Sequence, residues 1–466
     1  MKIPILNGIF ADSEAALKTS YPINLMPVVQ ENGISEGYLR PVDGITLQTT
    51  GSGVCRGGIN WNGTLYRVLG SSLVSISKAG VITVLGDVGD NGIPVTMEYS
   101  FDRLAIASNG NLFYWNGAAL TQVTDPDLGN VVDLTWVDGY FMTTDGEFLV
   151  ITELNDPTSI DPLKYGSSEI DPDPVTALLK VRNEVQALNR YTIESFRNVG
   201  GTGFPFQRIE GAQIQKGCTG PDACCTYMDA IAFLGSGRNE QCSIYIGQNG
   251  GTVRVSSNAI DAMLEEYTEE QLSKAVLETR NDRGNMLLFV HLPDRTLVYD
   301  QAVSAVAQDY AWHVLSSGAQ EYSRYLGIFF VYAYDRWNIG DPTTGRIGYL
   351  DSSLGSHWGV AVGWEFGTQI LYNESRGAIF SELELVAVTG RIPHGSSPII
   401  STSYSNDGVT WSQDRSISAG VGGDRTKRLV WFRQGSMESM RTQRFRGDSA
   451  AHVSFLRLEA RIEPLN

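Results

Sequence analysis

A chain of 466 residues, 42% hydrophobic and with a formal net charge of −17, is long enough for two or three domains with real cores. The charge argues against a general nucleic-acid binder, which needs a basic face to displace counterions, but it suits a passage whose acidic wall lets DNA slide. There is no signal-peptide pattern in MKIPILNGIF, no apolar run long enough to span a membrane, and an odd number of cysteines, five, which speaks against a disulfide framework. A reducing cytoplasm is the expected setting for synthesis.

Residues 1–50 read as an irregular N-terminal arm ending in a closing strand, because Pro22, Pro27 and Pro41 discourage helix. From residue 51 one theme recurs: a short alternating strand, a Gly or Asn turn, and a second strand. It appears at 63–77, 109–123, 138–152, 185–196, 242–256, 294–301 and 345–353. The mean spacing of about 47 residues is close to that of a propeller blade. A single hairpin cannot bury both faces of its sheet, whereas blades stacked around an axis can, and ring closure protects their edges. The expectation is an all-β fold with a β-propeller of six or seven blades over 51–355. Separate β-sandwiches with ordinary hairpin spacing are the alternative.

One helical insertion is expected at 258–280. Asn258 is positioned to cap a first helix whose Ile260, Met263, Leu264 and Tyr267 share a face. Thr268 and Gln271 form a capping box for a second helix, with Leu272, Ala275 and Val276 as its buried stripe. Beyond residue 356 the alternating segments 382–390, 398–412, 427–435 and 451–463 predict a C-terminal antiparallel β-sandwich over 356–466, with Asn406-Asp407-Gly408 as a hairpin turn.

No catalytic, cofactor-binding or metal-binding residues are assigned. His291, His313, His357, His394 and His452 lack a second His or Cys at ligand spacing, and His291 reads as a strand end. Cys218, Cys224, Cys225 and Cys242 fit no common zinc spacing. The glycines at 200–203 lack the Lys-Ser or Lys-Thr of a phosphate loop. The twelve acidic residues of 125–173 read as solvated loops, or else as a negative lumen or docking surface. The basic run 415–446 reads as the polar side of sandwich strands, with Trp431, Phe432 and Phe445 as strand core. SNDGVTW (405–411) resembles the Asp box of sialidase propellers, one residue short and present once. A glycosidase also needs two facing carboxylates or a Tyr–Glu pair, which spacing alone does not name.

Several segments in order resemble the packaged-DNA stabilisation proteins, the tail hub or nozzle subunits of short-tailed bacteriophages. They are INLMPVVQ and GYLRPVDGI in the lead-in, then YTEEQLSKAVLETR and LLFVHLPDRTLVYD, then FSELELVAVTG, SYSNDGVTWS and the late RLVWFRQGS and RFRG. Each is weak alone, but the ordered set spans nearly the whole chain. The resemblance implies a β-propeller-based virion tail protein made in the host bacterial cytoplasm, with no enzymatic activity and no cofactor. It further implies a homo-hexameric ring beneath the portal and its adaptor protein, closing the DNA-filled head. A tail needle or plug seals the far end, tailspikes pack alongside, and double-stranded DNA passes through without sequence-specific binding or any membrane contact. The competing readings are a glycan- or receptor-binding propeller and, behind it, a glycosidase.

Overall fold

The computed structural model describes residues 2–3, 5, 21–29, 37–154, 156–307, 310–319, 323–373, 376–392 and 395–465. Seven antiparallel sheets follow one another along the chain, at 55–87, 96–122, 133–167, 175–208, 217–254, 276–315 and 328–351. They are numbered here as blades 1 to 7. Each of the seven recurrent hairpins of the sequence falls in a different blade. The first strand of each blade is innermost, except in blade 5, where the inner edge is split into Gly217–Cys218 and Cys224–Tyr227 and the latter packs against the neighbouring blades. These strands pack neighbour to neighbour around an axis, and Ile328–Ala333 of blade 7 returns against Cys55–Trp61 of blade 1. The ring is therefore closed, with seven blades.

Local chemistry explains the strands. Tight turns sit where the backbone must enter the left-handed region, as at Asn62-Gly63 (φ 51° and 77°) and Asn249-Gly250 (φ 51° and 81°). Positive φ at both central positions matches the twist of the flanking strands. Between turns, alternate residues meet the neighbouring blade: Leu104 and Ile106 pack with Val68, Leu73 and Trp115 between blades 1 and 2.

Blade 7 has only three strands of its own. Its outer strand is Gly44–Thr50, which pairs antiparallel with Arg346–Asp351, so the two ends of the propeller meet in one sheet. The preceding strands Lys2–Ile3, Leu25–Val29 and Gly37–Pro41 take another path. They join Ala378–Val388, Leu429–Phe432, Ser436–Met437 and Ser454–Pro464 in a seven-stranded sheet. A five-stranded sheet of Gly363–Gly367, Leu371–Tyr372, Ile399–Ser405, Arg415–Ser418 and Met440–Asp448 faces it. The sandwich core between them holds Leu25 and Leu39 from the N-terminal segment beside Phe366, Phe380, Phe445 and Phe455. Phe366 lies 5.2 Å from Phe445 and 5.0 Å from Phe455, ring centre to ring centre. The first fifty residues thus complete both domains.

The helical stretch differs from expectation at both ends. Helix α1, Asn258–Leu264, is capped by Ser257, whose hydroxyl accepts from Ile260 N–H; Asn258 lies inside the helix. Helix α2 is only Glu269–Leu272, although its Thr268–Gln271 capping box forms as read. Val276–Asp282 leaves the helix and becomes the inner strand of blade 6, paired with Asn285–His291. Ring closure needs a strand there, and this tertiary demand overrides the helical pattern. A third helix, α3 (Gln301–Ala307), which the sequence reading did not foresee, fills the last turn of blade 6 behind Asp300, whose carboxylate accepts from Ala302 and Val303 N–H.

Candidate functional site

If the chain is a wall, its functional element is the ring of inner strands and whatever holds it rigid. A polar staple crosses every blade junction. Between blades 1 and 2, Arg56 donates to Ser108 Oγ of blade 2 (3.2 Å) and to Ile93 O (2.7 Å), Gly89 O (2.7 Å) and Asn91 Oδ1 (2.8 Å) of the connecting segment. Asp133 of blade 3 accepts from Thr96 Oγ1 of blade 2 at 2.6 Å and from Leu178 N–H of blade 4 at 2.7 Å. Thr226 Oγ1 of blade 5 donates to Lys180 O at 3.3 Å, and Thr279 Oγ1 of blade 6 to Thr226 O at 3.4 Å. Glu278 of blade 6 accepts from Phe329 N–H (3.0 Å) and Phe330 N–H (2.6 Å) of blade 7. Arg67, fully buried, closes the circuit by donating to Phe329 O at 3.0 Å. The bonds at Arg56, Asp133, Glu278 and Arg67 lie in partly or fully buried surroundings. They resist shear between blades, because breaking one strands a desolvated donor or acceptor. The two threonine bonds flanking blade 5 are exposed.

Three acids on or beside the inner strands bear on the enzymatic alternative. Burial raises Asp133 to about 6, and raises Glu98 and Asp222 to about 7, with Lys180 opposing the shift at Glu98. Elevated carboxyls mark catalytic acids when one of them is free to face a substrate. Both oxygens of Asp133 are taken by strand-to-strand hydrogen bonds. Asp133 works as a structural acceptor.

The residues singled out from sequence resolve into structural roles. His291 ends its strand as expected, held between Thr296 Oγ1 (3.0 Å) and Glu278 Oε1 (2.7 Å). His313 and His357 are buried, His452 is half-buried, and His394 lies outside the described residues. Cys218 donates its S–H to Gly220 O at 3.1 Å, and burial pushes the Cys225 thiol up. Among the described residues no cluster of His, Cys, Asp or Glu is built to hold a metal.

The acidic run 125–173 is not one patch. Asp125 and Asp161 cap short 3-10 turns, Asp145 and Asp156 close loops on themselves, and Asp133 is buried. In the basic run, Arg428 pairs with Glu384, Arg446 with Asp414, and Arg415 donates to Phe432 O. Buried Arg441 lies 4.2 Å from the Phe380 ring and 3.8 Å from that of Tyr404. Trp431 and Phe445 are core, but Phe432 is 64% exposed, because alternation turns it to the outer side of its strand. Residues 406–414 form a long loop and not a tight hairpin; the Thr410 hydroxyl donates to Asp407 Oδ2, Val409 and Thr410 N–H donate to its Oδ1, and these bonds, the hydroxyl's first, hold its carboxyl well below the usual range. Trp411 packs under the Arg444 guanidinium at 4.0 Å. The Asp-box-like motif is thus a self-bonded turn.

What the sequence concealed is the domain junction. Asn24, at φ 53°, donates through Nδ2 to Ser316 O (2.8 Å) beside blade 6 and to Gly363 O (2.7 Å) in the sandwich. Nearby, Arg40 and Arg280 share Asp43, and Arg40 also pairs with Asp282. The four side chains are only 8–13% exposed. Beside them, burial together with Arg280 and Arg40 drives His313 down to about 3, and burial alone takes His357 to about 4.

These imidazoles are neutral in the fold but bind protons near 6.5 when unfolded. The unfolded state therefore takes up more protons on acidification, and stability falls as pH drops from about 6.5 towards 4. The expected loss is roughly 1.4 kcal/mol per pH unit for each histidine. Asp133, Asp222 and Glu98 act in the opposite sense, so the histidine contribution is read by difference. Denaturant melts at pH 7 and pH 5 should show a smaller acid loss in His357→Gln than in the parent chain. Equal losses would remove the histidine from the account.

Comparison with known proteins follows the same two-part division. Residues 1–355 match the family model described as bacteriophage P22 Gp10, beta-propeller, and residues 363–463 match that described as bacteriophage P22 Gp10, beta-sandwich. The tail hub protein gp10 of Salmonella phage P22 is 26% identical over an alignment 484 positions long that covers 99% of each chain. Among solved structures, the N-terminal domain of Nup159 aligns with 71% of this chain and 99% of its own at a TM-score of 0.43 and 10% identity. The Pan2 WD40 domain of Neurospora crassa aligns with 64% of this chain and 89% of its own at 0.41 and 9% identity. Those two likenesses are too distant to bear on function. With both domains matched in order, the chain belongs to the bacteriophage P22 Gp10 family.

Proposed function

We propose that this chain is the structural tail hub subunit of a short-tailed phage, a component of the virion tail, which assembles as a hexameric ring beneath the portal and its adaptor. In that position it closes the DNA-filled head and forms part of the ejection channel. A needle or plug occupies the far end, and tailspikes pack alongside. The subunit is structural and not enzymatic.

The observation that carries this reading is the end-to-end match to a tail hub protein, in both domains and over 99% of each chain. The physics agrees with it. A wall that holds pressurised DNA must be stiff, and a seven-bladed ring with a polar staple at every junction is stiff. A net charge of −17 keeps phosphates from adhering. A ring of identical subunits needs contacts between unlike surfaces that close by rotation, and a disc carrying a sandwich at one place on its rim presents unlike surfaces to its neighbours.

Purified chain mixed with adaptor-loaded portal should co-sediment, and averaged electron micrographs of the complex should show six copies around the tail axis. A chain that remains at the top of the gradient refutes the assembly. A ring of another number refutes the hexamer alone.

A further inference from the structure

A small cavity of about 20 Å³ lies where the N-terminal segment meets blades 6 and 7. Asp43, Arg280 and His313 bring polar side chains to it, and Val42, Leu287 and Phe330 are among the apolar groups of its wall. Arg280 is 7% exposed and His313 is 1% exposed. Arg280 donates through Nη1 to Asp43 Oδ2 at 3.0 Å, but its Nε–H has no partner among the described residues, and neither has Nδ1 of His313. Two buried polar side chains with an unpartnered nitrogen thus line one cavity. Each such atom costs free energy until something bonds to it, so both favour an occupant.

The lining selects the occupant. A water needs about 10–15 Å³ of such space, so the cavity takes one and nothing larger. The Arg280 Nε–H can only donate, so the occupant must accept. The Asp43 carboxylate, paired with two arginines, can only accept, so an occupant that also donates is favoured. His313 Nδ1 donates or accepts according to its tautomer, and only a molecule that does both suits either form. A halide accepts alone and would lie against the Asp43 carboxylate. Charge is already balanced, Arg40 and Arg280 against Asp43 and Asp282, so an ion of either sign would leave a buried charge unpaired. Among the described residues no cluster of ligands suits a metal. Water meets every one of these demands.

We infer that this cavity is the binding site of one internal water molecule, which accepts from Arg280 Nε, donates to Asp43 and hydrogen-bonds His313 Nδ1. It bridges the N-terminal segment to blade 6 beside the direct Asp43–Arg280 pair.

The test is a crystal structure of the full chain at a resolution that shows ordered solvent. One density peak should lie about 2.7–3.2 Å from Arg280 Nε, from an Asp43 oxygen and from His313 Nδ1. No peak at that place overturns the proposal. An anomalous peak there after a bromide soak overturns it in favour of a halide. In solution, oxygen-17 relaxation dispersion of water counts long-lived internal molecules. Val42→Ile adds a methylene to the cavity wall, enough to exclude the water from so small a space, and should lower that count by about one. An unchanged count in the folded variant overturns the proposal, and the parent crystal structure decides it if the variant does not fold.

Discussion

Removal of residues 1–50 will leave a chain with no cooperative unfolding transition in either domain. The deletion takes away Gly44–Thr50, so blade 7 loses its outer strand and the propeller the pairing that joins its two ends in one sheet. It also takes away the strands Leu25–Val29 and Gly37–Pro41 from the larger sandwich sheet. Seven buried apolar side chains go with them: Ile3, Ile5, Leu25, Met26, Leu39, Val42 and Ile45. At about 1.5–3 kcal/mol each, their burial contributes roughly 10–20 kcal/mol. That matches or exceeds the entire stability of a typical domain, about 5–15 kcal/mol. The effect should reach both cores, because Leu25 and Leu39 belong to the sandwich while Met26 and Ile45 belong to the core under blades 6 and 7. Thermal melts followed by near-ultraviolet circular dichroism, together with limited proteolysis, check this. A truncated chain that keeps one sharp transition and a protease-resistant sandwich would show that the two domains fold independently of their shared N-terminal segment.

The second large effect is expected at Asp43. Arg280 Nη1 donates to its Oδ2 at 3.0 Å, and Arg40 approaches Oδ1 at 3.4 Å, in surroundings that leave each group nearly dry. Asp43→Ala leaves the buried Arg280 guanidinium without its counter-charge and Arg40 with Asp282 alone. Breaking a buried pair in this way costs about 3–5 kcal/mol, because desolvation was already incurred by both partners. Removing the charge together with its main partner, in Asp43→Leu with Arg280→Leu, should recover much of that loss, since apolar replacements need no counter-ion. Denaturant midpoints of the two single variants and the double variant form the cycle that tests it. Additive losses would mean that the pair is not coupled. The network ties the lead into Gly44–Thr50 to the inner strand of blade 6, so Asp43→Ala should also expose the N-terminal segment to protease before the rest of the chain.

Local chemistry accounts for what was legible in the sequence. Alternation and Asn-Gly turns depend on a few neighbouring residues, so the hairpins of all seven blades, four of the sandwich strands and the capping box at Thr268 and Gln271 could be read directly. The resemblance in ordered segments pointed to the same family that the two domain matches now show. Blade number could not be read, because the strand that completes blade 7, Gly44–Thr50, lies some three hundred residues before its partner, Arg346–Asp351. The fate of Val276–Asp282 was hidden for a related reason: its residues suit a helix locally, and only the vacancy in the ring makes them a strand. The Arg40–Asp43–Arg280–Asp282 cluster and the cavity beside it each join residues from separate elements. Period and turn chemistry act over a handful of residues and are written in sequence order. Ring closure, charge pairing and cavities arise from contacts made only when distant segments pack, and the tertiary structure alone decides them.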